Sequence, residues 1–487
     1  MPKLSEHYNL GATQPRLDFV DTHTDRDLLL FVDPFAISLK DDAWSVQCLE
    51  HINSFFQRSI DLIHAGDDAE AQRILDNLKE PKETGLGYGT KPRRGRGVAG
   101  EKAISLHAAL ANSHAARTGL LTDLGEFDLF IDGIGPDGLS DITTNIIKRP
   151  LIEYTQQQAR LWGIPLRPGV AVQRIWDIGQ QSWASDHVDL PVIGNSAIIL
   201  VPKFSARRQM TLSSQEFYND FVLDYLEQEE IARGSALVHV IKSSGRVKVS
   251  KKDLKEKYRF SKNFLAQFSE ATPDVLRRYK EFYQNLPGGI GALSNNEIFE
   301  RFEENFDERA FSQALIEELR MIQPGNETAT QYHRFMVGVI EFLFYPNLIY
   351  PILELEIHEG RKRIDIVYTN SSQIGFFKRA QSQPQLRSQF VPVECKNYSK
   401  EPANPELDQI AGRFSHQRGW LGIMCCRQLT EKDRFIQRCR DTAVDGRGVV
   451  LPLDDADIVL MLDMVVRSRR SDINDFLEAR ARQIQIN

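Results

Sequence analysis

The clearest pattern of hydrophobic and polar positions lies in the last third of the chain, where apolar runs of helix and strand length alternate. An apolar run of helical length, QYHRFMVGVIEFLFYP (331–346), carries one acid, Glu341, and stops at Pro346. Short β-rich runs follow it, each bounded by charged or turn-forming residues. The alternation predicts an α/β domain around a sheet. We expect strands at 361–368, 390–398, 418–427 and 447–453, and helices at 404–417 and 429–443.

In the first part of the chain, apolar positions follow the helical spacing in some segments and the strand spacing in others, which predicts an α+β region. Clusters of Gly, Pro and Asp interrupt its apolar runs, as turns require. We expect strand pieces within 17–38, two helices within 43–79 that are broken near Gly66, a strand followed by a turn and a helix within 124–163, and a strand at 196–203.

The middle of the chain is helical in pattern, apart from one predicted strand at 236–242. A turn-rich stretch, IQPGNETAT (322–330), separates it from the last region. We therefore predict a multidomain α/β protein. Its parts are an α+β recognition or regulatory domain over 1–210, a helical connector over 211–325 and an α/β domain over 326–487.

Composition limits the class of protein. With 487 residues, 41% hydrophobic and 26% charged, the chain is typical of a globular protein of two or three domains. It has no apolar run of about 20 residues and no apolar signal segment, and its five cysteines show no CxxC spacing. We therefore expect a cytoplasmic protein that binds no membrane. The net charge of −7 excludes only a wholly basic nucleic-acid binder.

Charged residues stand at the ends of two predicted strands. Asp365 lies in RKRIDIVY, and Glu394, Cys395 and Lys396 end the run FVPVECK. Alternate side chains of a strand share a face, so Glu394 and Lys396 point one way and Cys395 the other. If Asp365 lies on the neighbouring strand, two carboxylates and an ammonium converge. Such a set suits metal-assisted phosphodiester hydrolysis, because Mg²⁺ prefers hard oxygen ligands.

These residues resemble the PD-(D/E)xK motif of restriction endonucleases, junction resolvases and repair nucleases. Asp365, Glu394 and Lys396 stand where the motif has its acids and lysine, although Ile364 replaces the motif's Pro. The flanking elements also follow the family's order of helix, three strands, helix, strand, helix and strand. The resemblance covers about 328–460. It implies a restriction-endonuclease-like core with a mixed central sheet.

The resemblance also implies roles for individual residues. Asp365 and Glu394 would ligate Mg²⁺, for which Mn²⁺ can substitute, with the backbone carbonyl of Cys395 as a third oxygen. Lys396 would position the attacking water and stabilise the pentacovalent phosphate. Further support would come from three residues on flanking helices: Glu341 as an added ligand, and Gln409 and Arg413, which share a helix face.

The partner implied by the resemblance is nucleic acid, and we expect DNA rather than RNA. By analogy with multidomain members of the family, we expect a role in bacterial defence or restriction. A homo-oligomer stays an open alternative. The charged residues at the strand ends can also be explained without a catalytic function, as a solvated sheet edge or a structural ion pair. Two other functions also stay open: a non-catalytic nuclease-like binding or scaffold protein, and a nuclease gated by a small-molecule sensor in the first region.

Two basic segments are candidates for contact with nucleic acid. Arg93, Arg94 and Arg96 lie in a Gly-rich loop that suits phosphate contacts, and a solvated loop explains them equally well. The same loop matches GxGxxG, but no strand precedes it, so a dinucleotide site is rejected. Lys251 and Lys252 lie in a lysine-rich stretch with interleaved aromatics, which a solvated helix also explains.

The acidic turn 132–143 suggests a second metal site. Asp137 and Asp141 stand within or beside a Gly-Pro-Asp-Gly sequence. Together with the later Lys203, they form a combination of acids and lysine similar to that of Asp365, Glu394 and Lys396. Turn chemistry alone accounts for Gly, Pro and Asp at such positions. We favour the turn and keep the two acids as second-site candidates.

Overall fold

The computed structural model describes residues 2–87, 106–108, 110–111, 124–240, 247–284, 292–353 and 366–486. Asp365 and the basic residues Arg93, Arg94 and Arg96 lie outside these ranges. The described protein is a mixed α/β structure, as the alternating pattern predicted. None of its described helices is long and apolar enough to cross a membrane.

The first region is largely helical and carries short strand pairs. The predicted helix break near Gly66 is confirmed, because Gly66 adopts φ +73° between two helices. The helices are Leu4–His7, Pro34–Ser38, Ala43–His64, Asp68–Leu75, Phe127–Phe130, Pro136–Ile146 and Lys148–Trp162. The strands are β1 Phe31–Val32, β2 Arg167–Asp177, β3 Ser182–Leu190, β4 Val192–Ile193, β5 Ser196–Ala197 and β6 Ala206–Arg207. They pair antiparallel as β1 with β6, β2 with β3 and β4 with β5.

Two predictions for this region are wrong. The predicted strand at 196–203 is a strand only at β5. The buried residues after it donate backbone hydrogen bonds to different places, Ile198 to Pro191 and Ile199 to Glu83, so no single ladder forms. The predicted strand near 127 is the helix Phe127–Phe130. Its three apolar residues are all buried, so the spacing of apolar positions does not distinguish a short helix from a strand there. The long hairpin β2–β3 was not predicted.

The middle region is helical, as predicted, and its predicted strand is confirmed as β7 Val238–Val240. β7 pairs antiparallel with β8 Val247–Val249. The helices are Ser214–Glu216, Leu223–Ala232, Lys251–Lys257, Lys262–Ala271, Pro273–Gln284, Asn295–Arg301 and Glu308–Met321, with a π-helical segment Phe217–Val222 after the first.

The last region is built on a five-stranded mixed sheet. Its strands are β9 Leu348–Ile352, β10 Ile366–Asn370, β11 Phe390–Lys396, β12 Leu421–Cys426 and β13 Val449–Asp454. They lie in the order β13-β12-β11-β10-β9. β10 pairs antiparallel with both of its neighbours, β9 and β11. β12 pairs parallel with both of its neighbours, β11 and β13. The helices are Ala329–Phe344, Gly375–Ser382, Asn404–Ala411, Lys432–Val444, Asp455–Val466 and Asp472–Gln485.

Helix Ala329–Phe344 covers one face of this sheet. The hydroxyl of Tyr368 on β10 donates to the carbonyl of Val337 at 3.1 Å, so the Tyr368 side of the sheet faces that helix. Val391 on β11 is the partner of Tyr368 and shares its face. Glu394 is three residues further along β11 and therefore lies on the opposite face.

The first region packs against the outside of the same helix. The Arg16 guanidinium lies over the Phe335 ring at 5.2 Å, and the amide of Tyr350 on β9 donates to Asp18 at 3.0 Å. Gln158 donates to the carbonyl of Pro351 at 3.1 Å. The N-terminal part of the chain and the sheet thus share a continuous core.

Candidate active site

Glu394 and Lys396 lie side by side on β11. Their Cα partners on β12 are Met424 and Cys426. The Lys396 Nζ atom is 3.1 Å from Glu394 Oε2, and Glu394 is fully buried while the Lys396 side chain is 11% exposed. A buried carboxylate is costly unless a cation or hydrogen bonds accompany it, so this acid is held as one half of an ion pair.

Helix Asn404–Ala411 and the residues after it bring two more side chains to this pair. Lys396 Nζ donates to Gln409 Oε1 at 3.1 Å. Arg413, two residues beyond the helix end and 4% exposed, has its Nη2 atom 4.0 Å from Glu394 Oε1. The structure therefore brings four of the predicted site residues together on one face of the sheet: Glu394, Lys396, Gln409 and Arg413.

Cys395 stands between the two charged residues. Its Cα partner is Cys425 on β12, and the alternation of the strand turns its side chain to the face that helix Ala329–Phe344 covers. The Cys395 sulfur is thus directed away from Glu394, while its backbone carbonyl stays between the two charged residues.

Asp365 lies outside the described residues. The next residue, Ile366, begins β10 and is the Cα partner of Val393, which directly precedes Glu394. The first residue of β10, which follows Asp365 in the chain, therefore lies beside the residue that precedes Glu394.

Glu341 lies elsewhere. It sits on the helix that covers the other face of the sheet, is 1% exposed, and has its Oε1 atom 2.9 Å from Lys203 Nζ. Burial raises the pKa of Glu341 to about 7, and the Lys203 charge opposes that rise. We therefore assign Glu341 to the Lys203 pair and not to the Glu394 site, which corrects the expectation of an added metal ligand. An acid and a lysine, each isolated in an apolar run, were the sequence signal for this pair.

The remaining candidates do not join the site. Asp137 lies in the first turn of helix Pro136–Ile146 and Asp141 further along it, so the expected acidic turn is a helix. Lys251 lies 3.3 Å from Asp224 and donates to the Asn219 carbonyl at 2.9 Å. Lys252 is 4.0 Å from Glu256. Both lysines thus lie beside acids on an exposed helix, and contact with nucleic acid stays a prediction beside the solvated-helix alternative.

Within the described ranges, no group of three His, Cys, Asp or Glu side chains could hold a metal ion. The described site contributes one carboxylate, Glu394. Hard oxygen donors of this kind fit Mg²⁺ or Mn²⁺.

Comparison with known proteins finds one match, which lies in the first region. Residues 9–213 match a family model described as a domain of unknown function (DUF8370). No curated protein and no solved structure matches the chain. The matched range ends before the five-stranded sheet begins, so the chemistry of the sheet has to be argued from its own geometry.

Proposed function

We propose that the protein is a metal-dependent nuclease that hydrolyses phosphodiester bonds in nucleic acid, with DNA as the favoured substrate. The observation that carries the proposal is the pair of Glu394 and Lys396 on one face of β11, 3.1 Å apart, with Gln409 bonded to the lysine. An ion pair placed within a valine-rich strand costs desolvation that a purely apolar face would avoid. Such a cost is typical of functional sites.

The order and direction of the elements support the proposal. A helix precedes three antiparallel strands, and two parallel strands follow, each preceded by a helix. Apart from helix Gly375–Ser382, which is inserted between the second and third strands, this is the arrangement expected of a restriction-endonuclease-like core, with Glu394 and Lys396 on its third strand. Fold alone does not specify activity, so the residues of the site have to supply the chemistry.

In this proposal Asp365 and Glu394 hold the metal ion, with the Cys395 carbonyl as a further oxygen. A bound Mg²⁺ would supply Lewis-acid stabilisation of the phosphate and a more acidic water. The register that pairs Ile366 with Val393 supports the choice of Asp365, because it makes β10 the direct neighbour of Glu394.

Lys396 provides the positive charge of the site. Its ammonium donates to Gln409 and pairs with Glu394, which hold it at the end of β11. From that position it can donate to the attacking water and to a phosphate oxygen, whose negative charge increases in the transition state. Gln409 is then a positioning residue, because it acts through the lysine.

The test is a cleavage assay with the full chain. Supercoiled plasmid, linear duplex, single-stranded DNA and RNA are each incubated with Mg²⁺, Mn²⁺ or EDTA. We expect metal-dependent cleavage that falls by more than about 100-fold in Lys396→Ala, because transition-state charge stabilisation contributes at least that much. Asp365→Ala should lose activity to a similar degree.

Lys378→Ala is the matched control, since Lys378 lies on helix Gly375–Ser382 of the same region and its ammonium donates to Gln381 Oε1 at 3.2 Å, away from Glu394. Circular dichroism must show unchanged folding in every variant. Full activity in both Lys396→Ala and Asp365→Ala would refute the assignment. If the wild-type chain cleaves none of the substrates, the non-catalytic alternative is favoured.

A further inference from the structure

A cavity of about 370 Å³ lies in the first region, far in sequence from β11. One wall is the hairpin β2–β3, and the other is the end of helix Asp68–Leu75 with the turn that follows it. Its volume falls within the range of about 300–1,000 Å³ that is usual for small-molecule sites. The polar residues that line it include Arg73, Asn77, Lys79, Arg174, Trp183 and Ser185.

The lining of this cavity is cationic. Arg73, Lys79 and Arg174 contribute three positive charges, and no Asp or Glu is among the lining residues. Glu70, one helical turn before Arg73, pairs with it at 2.6 Å and neutralises part of that charge. Clefts lined by one sign of charge attract ligands of the opposite sign, so this cavity suits an anion with more than one negative charge.

Arg174 is placed in the cavity by an irregularity of β2. The pairing of β2 with β3 shifts register between Val172 and Ile175, and Arg174 adopts φ +57° inside that shift. Bulges of this kind redirect a side chain, and positive φ is costly for a residue with a Cβ atom. The Arg174 Nε atom is buried and has no hydrogen-bond partner among the described residues. The strained residue thus offers a buried donor at the cavity.

Trp183 fixes the wall that faces Arg174. Its indole Nε1 donates to the carbonyl of Ile74 at 2.8 Å and so ties β3 to the helix. The Trp183 ring also packs against Phe55, 5.5 Å between centroids, and against Trp176 at 5.3 Å. Packing and this hydrogen bond therefore hold the Trp183 part of the cavity wall in place.

We propose that this cavity binds a small phosphate-bearing molecule of nucleotide size. Arginine pairs with phosphate through two parallel hydrogen bonds, and lysine adds a point charge. Asn77 and Ser185 are placed to donate to or accept from the rest of such a ligand. The site lies within the range that matches the family model and does not depend on the nuclease proposal.

Isothermal titration of the full chain tests the proposal. The probes are ATP, AMP, inorganic phosphate, citrate as an anion without phosphorus, and a ten-nucleotide single-stranded DNA with EDTA present. We expect ATP or AMP to bind, and binding to weaken about 10-fold or more in Arg174→Gln and in Lys79→Gln, since each loses a charge-assisted hydrogen bond.

Arg434→Gln is the control, because it makes the same Arg-to-Gln change outside the cavity, at an exposed residue that pairs with Glu431 in the last region. Lys79 is exposed, so its variant keeps the test valid if Arg174→Gln unfolds the hairpin. The proposal fails if neither nucleotide binds, if citrate binds as tightly, or if both cavity variants bind like the wild type. DNA binding alone, lost in those variants, would overturn it in favour of a nucleic-acid backbone contact.

Discussion

Lys203 and Glu341 form a buried ion pair, with Nζ and Oε1 2.9 Å apart and the two side chains 0% and 1% exposed. Lys203 belongs to the first region, and Glu341 to the helix that covers the five-stranded sheet. The Lys203 ammonium also lies 4.0 Å from the centre of the Tyr345 ring. This pair therefore joins the region that matches the family model to the region that carries the candidate active site.

The pair predicts a double-mutant result for stability. At pH 8, Lys203→Met and Glu341→Leu should each lower the free energy of unfolding by about 3–5 kcal/mol, because each leaves an unpaired buried charge. The double variant should lie closer to the wild type than either single variant, since neither partner is then left buried without the other; the buried Asp18, which the Lys203 charge also reaches, is common to all variants. Urea denaturation measures all three. Arg233→Ala, which breaks an exposed pair with Glu229, should cost less than about 1 kcal/mol. Additive losses in the double variant would contradict the assignment.

Glu341 also predicts a dependence of stability on pH. Burial raises its pKa from the ordinary 4.5 to about 7, so the folded protein binds this proton more tightly than the unfolded chain. The stability that this proton contributes is complete below pH 4.5 and is lost as the pH rises through 7. We expect the wild type to lose stability relative to Glu341→Gln across this window, as urea midpoints at successive pH values would show. Parallel curves for the two proteins would show that Glu341 does not titrate there.

The hydrogen bond between Lys396 and Gln409 predicts that a conservative substitution of Gln409 preserves cleavage activity while an apolar one lowers it. Gln409→Leu removes the oxygen that accepts from Lys396 Nζ, and cleavage should fall about 10-fold, which corresponds to one charged hydrogen bond. Gln409→Glu keeps an oxygen at that place and should stay within about 3-fold of the wild type. Initial cleavage rates at saturating Mg²⁺ measure both.

The control for Gln409 is Gln437→Leu, because Gln437 lies on helix Lys432–Val444 and bonds Asp441 away from the site. Its cleavage rate should not change. Equal rates for the Leu and Glu variants of Gln409 would show that the residue does not act through Lys396.

Gly419, beside the start of β12, stands where the surrounding backbone leaves no room for a side chain. It adopts φ +98°, and a Cβ atom there would fall on the backbone of Ser388 and 2.7 Å from the Arg387 carbonyl oxygen. Gly446 has a similar φ of +70° but open space around it. Gly446→Ala should therefore cost about 1 kcal/mol from backbone strain alone, and Gly419→Ala several-fold more. Thermal unfolding of the two variants compares them directly, and equal losses would argue against the clash.

The sequence by itself predicted most of the elements between 329 and 454, but it placed neither β9 nor helix Gly375–Ser382. Helix Ala329–Phe344 and strands β10 to β13 lie close to their predicted positions, because each one's local period decides its type. The common face of Glu394 and Lys396 also follows from the sequence, because alternation along a strand needs no tertiary information. The helix spacing similarly anticipated Gln409 and Arg413 beside them, although Arg413 lies beyond the helix end.

Tertiary structure alone decided which distant side chains meet. Glu341 was an isolated acid in an apolar helix, and only packing of the first region against that helix supplied Lys203 as its partner. The cationic cavity likewise combines residues separated by about a hundred positions, and a register shift in a hairpin that local pattern did not reveal places Arg174 in it. Local periodicity reports which face of an element is apolar. The partner of that face depends on contacts between residues far apart in the chain, because burial is satisfied by any complementary surface.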